Sequence, residues 1–141
     1  LAELIRPSGY FNVKAKRLKN YTNWFAKQGR LNKLKQLDDR LLRQQLLSVN
    51  GIGPETADDI LLYAFHRPVF VIDNYTRRLL KTLKIIKGDE PYEELRGLFE
   101  SSLKSDVTLF QEYHALIVKH AKQRCLAEAD CPHCYVETYQ D

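Results

Sequence analysis

Methionine is absent from the 141 residues, tryptophan occurs once, and no cysteine precedes position 125. The chain opens at Leu1 without an initiator, so the sequence reads as a fragment or a processed form. Its three cysteines, Cys125, Cys131 and Cys134, crowd into the last 17 residues. An odd, clustered set does not make the disulfide framework of a small secreted domain, so an intracellular setting is expected. Nowhere do 18 apolar residues run consecutively, which leaves no candidate membrane span. The first residues do not follow the basic-then-apolar order of a secretion leader. Six glycines and five prolines, without long polar tracts, argue against a disordered chain.

What is present suits one compact domain. Apolar residues make up 44% of the chain and charged residues 28%. At this length folding buries roughly 68% of the surface the unfolded chain exposes. Twenty-two basic against 18 acidic side chains leave a modest net charge of +4. The distribution is less even: residues 1–40 hold ten basic and three acidic side chains, a net +7, and the remainder carries −3. A basic end on a near-neutral body fits a phosphate-binding face, and it also fits a solvated basic helix.

The dominant period is helical. Between Lys14 and Phe25, basic residues interleave with Leu18, Tyr21, Trp24 and Phe25 at spacings of three and four. Leu31, Leu34 and Leu37 continue after Gly29, and Asp38 or Asp39 can cap a helix with Leu41, Leu42, Leu46 and Leu47 on its apolar side. Pro54 suits the first turn of the next helix, whose apolar side should be Ala57, Ile60, Leu61 and Ala64. Val69 to Ile72 is a lone apolar run, expected as a buried extended connector more than a strand. Asp73 opens a helix with Leu79, Leu80 and Leu83 on one side. Tyr92 to Leu103 forms another, and a long last helix starts at Asp106 or Thr108. The expectation is an all-α fold of six or seven helices, with no internal repeat.

Two segments point to chemistry. The first is Leu47-Ser48-Val49-Asn50-Gly51-Ile52-Gly53-Pro54-Glu55-Thr56-Ala57, two helices joined by a turn with alternate glycines. Glycine permits positive φ and a close approach of backbone to a ligand. Free amides at a helix start, with the helix dipole behind them, attract phosphate and carry no base specificity. Ile52 would plug into the hairpin's own core. An ordinary αα-turn that uses glycine only for conformation is the competing reading. The second segment is Val69-Phe70-Val71-Ile72-Asp73-Asn74-Tyr75-Thr76-Arg77-Arg78. Asp73 suits a helix N-cap. It equally suits a carboxylate at the lip of a desolvated pocket, able to activate water and stabilise positive charge on a sugar.

The hairpin followed by Val-Ile-Asp at this separation resembles the endonuclease III, or helix-hairpin-helix-GPD, superfamily of DNA glycosylases. Arg67-Pro68 with Val69 to Asp73 matches its loop-and-aspartate signature. Ile5-Arg6-Pro7-Ser8-Gly9-Tyr10-Phe11-Asn12-Val13-Lys14-Ala15 is similar to the stretch ahead of that family's hairpin. Tyr113-His114, His120 and Cys125 fall where the family approaches its metal cluster. The resemblance covers essentially residues 1–141, as a single partial domain lacking N-terminal helices. Within it lie a hairpin over 41–65, a catalytic loop over 67–78 and a cysteine tail over 120–141.

The resemblance implies that Asp73 is catalytic and that Gly51, Ile52, Gly53 and Thr56 belong to the DNA-binding hairpin. Lys14 and Lys16, with Arg17 and Lys19, form a basic cluster able to hold phosphates, and Arg77 and Arg78 follow Asp73 by one turn. Tyr10, Phe11, Trp24, Tyr63 and Tyr75 are aromatic candidates for stacking an extruded base, or else core. His114 and His120 read as structural histidines on an apolar helix. The implied partner is double-stranded DNA containing a damaged base, bound by a monomer, in the cytoplasm at the nucleoid, with no membrane.

Three departures shape the functional expectation. Bifunctional members carry an imine-forming lysine where this chain has Glu55, which cannot form that bond. The expected enzyme therefore removes a base by hydrolysing its N-glycosidic bond, an alkylated purine first, without cutting the strand. A bifunctional glycosylase/lyase and a non-catalytic helix-hairpin-helix binding module are the alternatives. Second, Cys125, Cys131 and Cys134 match only three of the four cysteines that hold a [4Fe–4S] cluster in the family. A cluster with another fourth ligand, a site without metal, and zinc with His133 or His120 all stay open. Third, the family's preceding helices are not among these residues, so the fragment alone is expected to be deficient in activity.

Overall fold

The computed structural model describes residues 1–29 and 31–123. A 3₁₀ turn over Glu3–Ser8 leads into α1 (Phe11–Lys27), followed by α2 (Leu31–Lys35), α3 (Asp39–Leu47) and α4 (Pro54–Asp59). A π turn over Ile60–Ala64 precedes α5 (Asn74–Thr82), α6 (Tyr92–Ser102) and α7 (Val107–Gln123). Among the described residues there is no strand, and the all-α expectation holds. None of these helices is long and apolar enough to cross a membrane.

Helix starts follow local chemistry. Asp38 caps α3 by accepting from the Leu41 amide at 2.8 Å, Asp73 caps α5, and Asp106 accepts from Leu109 ahead of α7 at 2.9 Å. Each cap satisfies an amide that a helix start otherwise leaves unbonded. Pro54 occupies the first turn of α4, where its missing N–H costs nothing.

The chain forms two compact units, one from Leu1 to Leu61 and a second beginning at Leu62. Ala15, Leu34, Leu42, Leu46, Val49, Ile52 and Ala57 fill the first. In the second, Leu62, Phe70, Val71, Ile72, Leu80, Leu95, Phe99, Phe110 and Ile117 share one core. The extended run Val69–Ile72 lies at its centre without a neighbouring strand. Side chains take over the pairing that a strand would supply. Glu100 accepts from the Phe70 amide at 2.9 Å, and the Tyr92 hydroxyl lies 3.4 Å from the Ile72 amide.

The π turn corrects one detail of the sequence reading. A regular helix over 54–64 would have buried Ile60 and Ala64. Ala57 and Leu61 are buried as expected, but Leu62 and Phe65 join them, Ile60 is half-buried and Ala64 is exposed. A π turn accommodates one more residue than an α turn, which rotates every following side chain around the axis.

Candidate functional site

Within the first unit, α3 and α4 make the two arms of the hairpin. Arg43 on α3 grips the fully buried Asp58 of α4, Nε to Oδ1 at 2.6 Å and Nη2 to Oδ2 at 3.1 Å. Val49 and Ile52 fill the space beneath the turn, and the Ile52 amide bonds back to the Val49 carbonyl at 3.0 Å. From α1, Asn20 donates to the Asn50 carbonyl at 2.8 Å. The turn is thereby braced from below and from the side.

The two glycines have different reasons to be there. Gly51 has φ +99, and a Cβ on it would lie 2.4 Å from Arg17 Cγ. Its own fold requires glycine on both counts. Gly53 has φ −95, which any residue can adopt, so the expectation of positive φ holds only at Gly51. A Cβ at Gly53 would meet nothing within 4 Å. Nothing among the described residues requires a glycine there. Thr56 and Glu55 are exposed on α4, as are Lys14 and Lys16 on α1.

Within the second unit the extended connector delivers Asp73 to the start of α5. Asp73 Oδ1 accepts from the Thr76 amide at 2.7 Å. Its other oxygen, Oδ2, faces His114 Nε2 of α7 at 3.5 Å, and the two side chains are 13% and 10% exposed. His114 Nδ1 lies 2.7 Å from the Tyr63 hydroxyl of the π turn. Burial pushes the Asp73 carboxyl up, but hydrogen bonding from His114 and from Thr76 outweighs it and holds the acid below its usual range. Asp73 is therefore both a helix cap and an ionised carboxylate in a largely enclosed place.

The remaining candidates are distributed as follows. Arg77 donates to the Glu90 carbonyl at 2.9 Å, and Arg78 donates to the Ala121 carbonyl at 3.3 Å while covering the Tyr75 ring. Tyr10 is 87% exposed, Trp24 packs beside Tyr21, and Tyr75 packs against the second unit's core. Cys125, Cys131 and Cys134, with His133, lie outside the described residues. Among the described residues no three His, Cys, Asp or Glu side chains gather as a metal site would need. Sequence reasoning missed His114, which looked like a core histidine on α7. Nothing local marks it, since its two partners lie 41 and 51 positions away in the chain.

Comparison with known proteins gives the family and the fold. Residues 1–105 match the model of the HhH-GPD superfamily of base excision DNA repair proteins. A protein of Methanocaldococcus jannaschii, named as a DNA repair glycosylase, is 44% identical over 142 residues, covering 99% of this chain and 64% of its own. Endonuclease III of Sulfolobus acidocaldarius is 28% identical, covering 99% of this chain and 60% of its own. The crystal structure of the H. pylori 3-methyladenine DNA glycosylase bound to 1,N6-ethenoadenine is similar with a TM-score of 0.68 at 34% identity. That match covers 86% of this chain and 61% of the other. The chain thus spans somewhat under two thirds of the length of these relatives.

Proposed function

Because the chain belongs to the HhH-GPD superfamily of base excision DNA repair proteins, we propose that the full-length protein is a monofunctional DNA glycosylase acting on alkylated purines. The observation that carries this reading is Asp73, an ionised carboxylate in a largely enclosed position after a buried connector. Water adds to the sugar carbon while the bond from that carbon to the base nitrogen breaks, and the base takes the bonding electrons. Positive charge develops on the sugar, and a nearby carboxylate stabilises it. An ionised Asp73 is also a base that can receive the water's proton. A purine alkylated on a ring nitrogen already carries positive charge and leaves neutral, so the site needs no acid to protonate it. The 3-methyladenine glycosylase among the relatives supports the same substrate class.

Glu55 supports hydrolysis over lyase chemistry. It occupies the place where the bifunctional family members have their amine, and it is exposed in the first turn of α4, where a carboxylate suits the helix dipole. Borohydride trapping on a lesion-bearing duplex should therefore yield no covalent protein–DNA adduct with the wild-type protein. A trapped adduct would show that another amine reaches the sugar and would overturn the monofunctional reading.

The duplex would be held by the turn at Gly51 to Gly53 and by the basic face bearing Lys14 and Lys16. The vacant space beside Gly53 supports this, since a phosphate backbone can approach there and a side chain would obstruct it. Gly53→Val should cost about 1 kcal/mol of stability at most, because Gly53 is the N-cap of α4 and valine caps a helix less well. It should weaken duplex affinity by roughly tenfold, equally for damaged and undamaged sequences, as loss of a hydrogen bond to a charged group does. Electrophoretic mobility shifts on several sequences check this. A loss confined to one sequence would contradict backbone binding.

A further inference from the structure

We propose that His114 and Tyr63 are positioning residues for the Asp73 carboxylate, an inference that rests on the catalytic reading of Asp73 above. The observation is a chain of three polar side chains within the second unit: Tyr63 Oη to His114 Nδ1 at 2.7 Å, then His114 Nε2 to Asp73 Oδ2 at 3.5 Å. Each comes from a different element, the π turn, α7 and the start of α5.

The chemistry follows from donor and acceptor counting. A neutral imidazole has one N–H and one bare nitrogen. An ionised carboxylate can only accept, so the nitrogen that faces it, Nε2, is assigned the ring proton, which leaves Nδ1 bare to accept from the Tyr63 hydroxyl. Nε2 is buried and has no other hydrogen-bond partner among the described residues, and Asp73 Oδ2 is the acceptor that faces it. The separation is longer than a settled hydrogen bond, as contacts in substrate-free sites often are before they tighten. Thr76 meanwhile holds the other oxygen through its amide at 2.7 Å. The carboxylate is thus oriented by one donor on each oxygen. It keeps its charge, and its unshared electron pairs stay directed to a defined place.

The π turn explains how Tyr63 arrives. Its wider winding buries Leu61, Leu62 and Phe65 and leaves Tyr63 42% exposed, with its hydroxyl against α7. Insertions of this kind often mark functional positions in helices. A merely structural histidine would need partners only to satisfy its nitrogens. This one takes its acceptor from the one carboxylate that the proposed reaction requires.

The experiment uses the full-length protein and two readouts. In ¹⁵N-histidine NMR without DNA, His114 should show Nε2 protonated and Nδ1 bare, and Tyr63→Phe should abolish that preference. With ¹³C-labelled aspartate carboxyls, His114→Leu should move the Asp73 titration upward. In single-turnover kinetics on a 3-methyladenine duplex, His114→Leu should slow base release by about 10- to 100-fold with duplex affinity unchanged. His114→Gln, whose amide can both accept from Tyr63 and donate to Asp73, should recover most of that rate. Tyr63→Phe, at a partly exposed position, keeps the packing should the leucine variant fold poorly.

An Nδ1-protonated ring in the wild type would overturn the proposal. So would an effect of His114→Leu confined to affinity, or glutamine behaving like leucine. If the wild-type protein releases no base from any lesion, the glycosylase reading fails. NMR then decides whether the three side chains are linked.

Discussion

Asp73→Asn is expected to slow base release by at least about 10³-fold while leaving duplex affinity and the fold nearly unchanged. Asp73 holds two roles at once. As the N-cap of α5 it accepts the Thr76 amide at 2.7 Å, and asparagine caps a helix about as well as aspartate. As a carboxylate it supplies a full negative charge in a side-chain environment only 13% exposed. Asparagine keeps the first role and removes the second. A 10³-fold loss corresponds to about 4 kcal/mol of transition-state stabilisation. That is within reach of one charge acting across a few ångströms of low-dielectric surroundings. Single-turnover rates and binding isotherms measured together separate the two roles. Equal rates in mutant and wild type would refute the assignment.

The same substitution should change the acid limb of stability. The folded protein holds the Asp73 carboxyl below its ordinary value because donors from His114 and Thr76 outweigh the effect of burial. The unfolded chain therefore binds the proton more readily. The resulting stabilisation is fully present above about pH 4 and is lost as pH falls through the lower folded value. Wild-type stability should accordingly decline more steeply in acid than that of Asp73→Asn.

Phe70→Ala should be the most destabilising single change in the second unit, at about 3–5 kcal/mol. The Phe70 ring is fully buried and stacks on Phe99 with centroids 4.1 Å apart and planes 5° from parallel. Phe110 and Tyr113 meet it edge-on at 5.4 and 5.8 Å. Such pairs add about 0.5–1.5 kcal/mol to area burial. The loss is a large share of the 5–15 kcal/mol that holds a typical protein folded. Because Phe70 lies three residues before Asp73, and its amide is held by Glu100, a collapsed ring site would also loosen the connector that carries the carboxylate. Thermal denaturation of the full-length protein should show a drop on the order of 10 °C. Phe70→Leu should lose less than half as much, since most of the volume remains. A similar loss for both would mean that the aromatic contacts, and not the filled space, dominate.

Much of this organisation was legible in the residues themselves. Apolar residues at three- and four-residue spacing mark α1 and α3, Asp38, Asp73 and Asp106 stand at the starts of α3, α5 and α7, and Pro54 marks the first turn of α4. The isolated run Val69 to Ile72, lacking a partner run at strand spacing, was recognisable as a connector. Where the reading failed, tertiary structure decided. The π turn over Ile60–Ala64 has no sequence signal in a helix whose apolar residues are nearly continuous, so regular helical spacing places Ala64 on the buried side, where the structure exposes it. The difference between Gly51 and Gly53 depends on where Arg17 of α1 lies across the turn. His114 gains its meaning only because α7 packs beside α5, which brings it to Asp73.

The most direct test of the central claim is base release by the full-length wild-type protein, with Asp73→Asn beside it, from duplexes carrying one alkylated purine each. The products are resolved on denaturing gels with and without alkali. The account predicts strand breaks from the wild type only after alkali, and none from the mutant under either condition. Breaks without alkali would contradict hydrolytic, monofunctional chemistry. Equal release by the mutant would contradict the role of Asp73, and the absence of release from every lesion would leave a DNA-binding module in place of an enzyme.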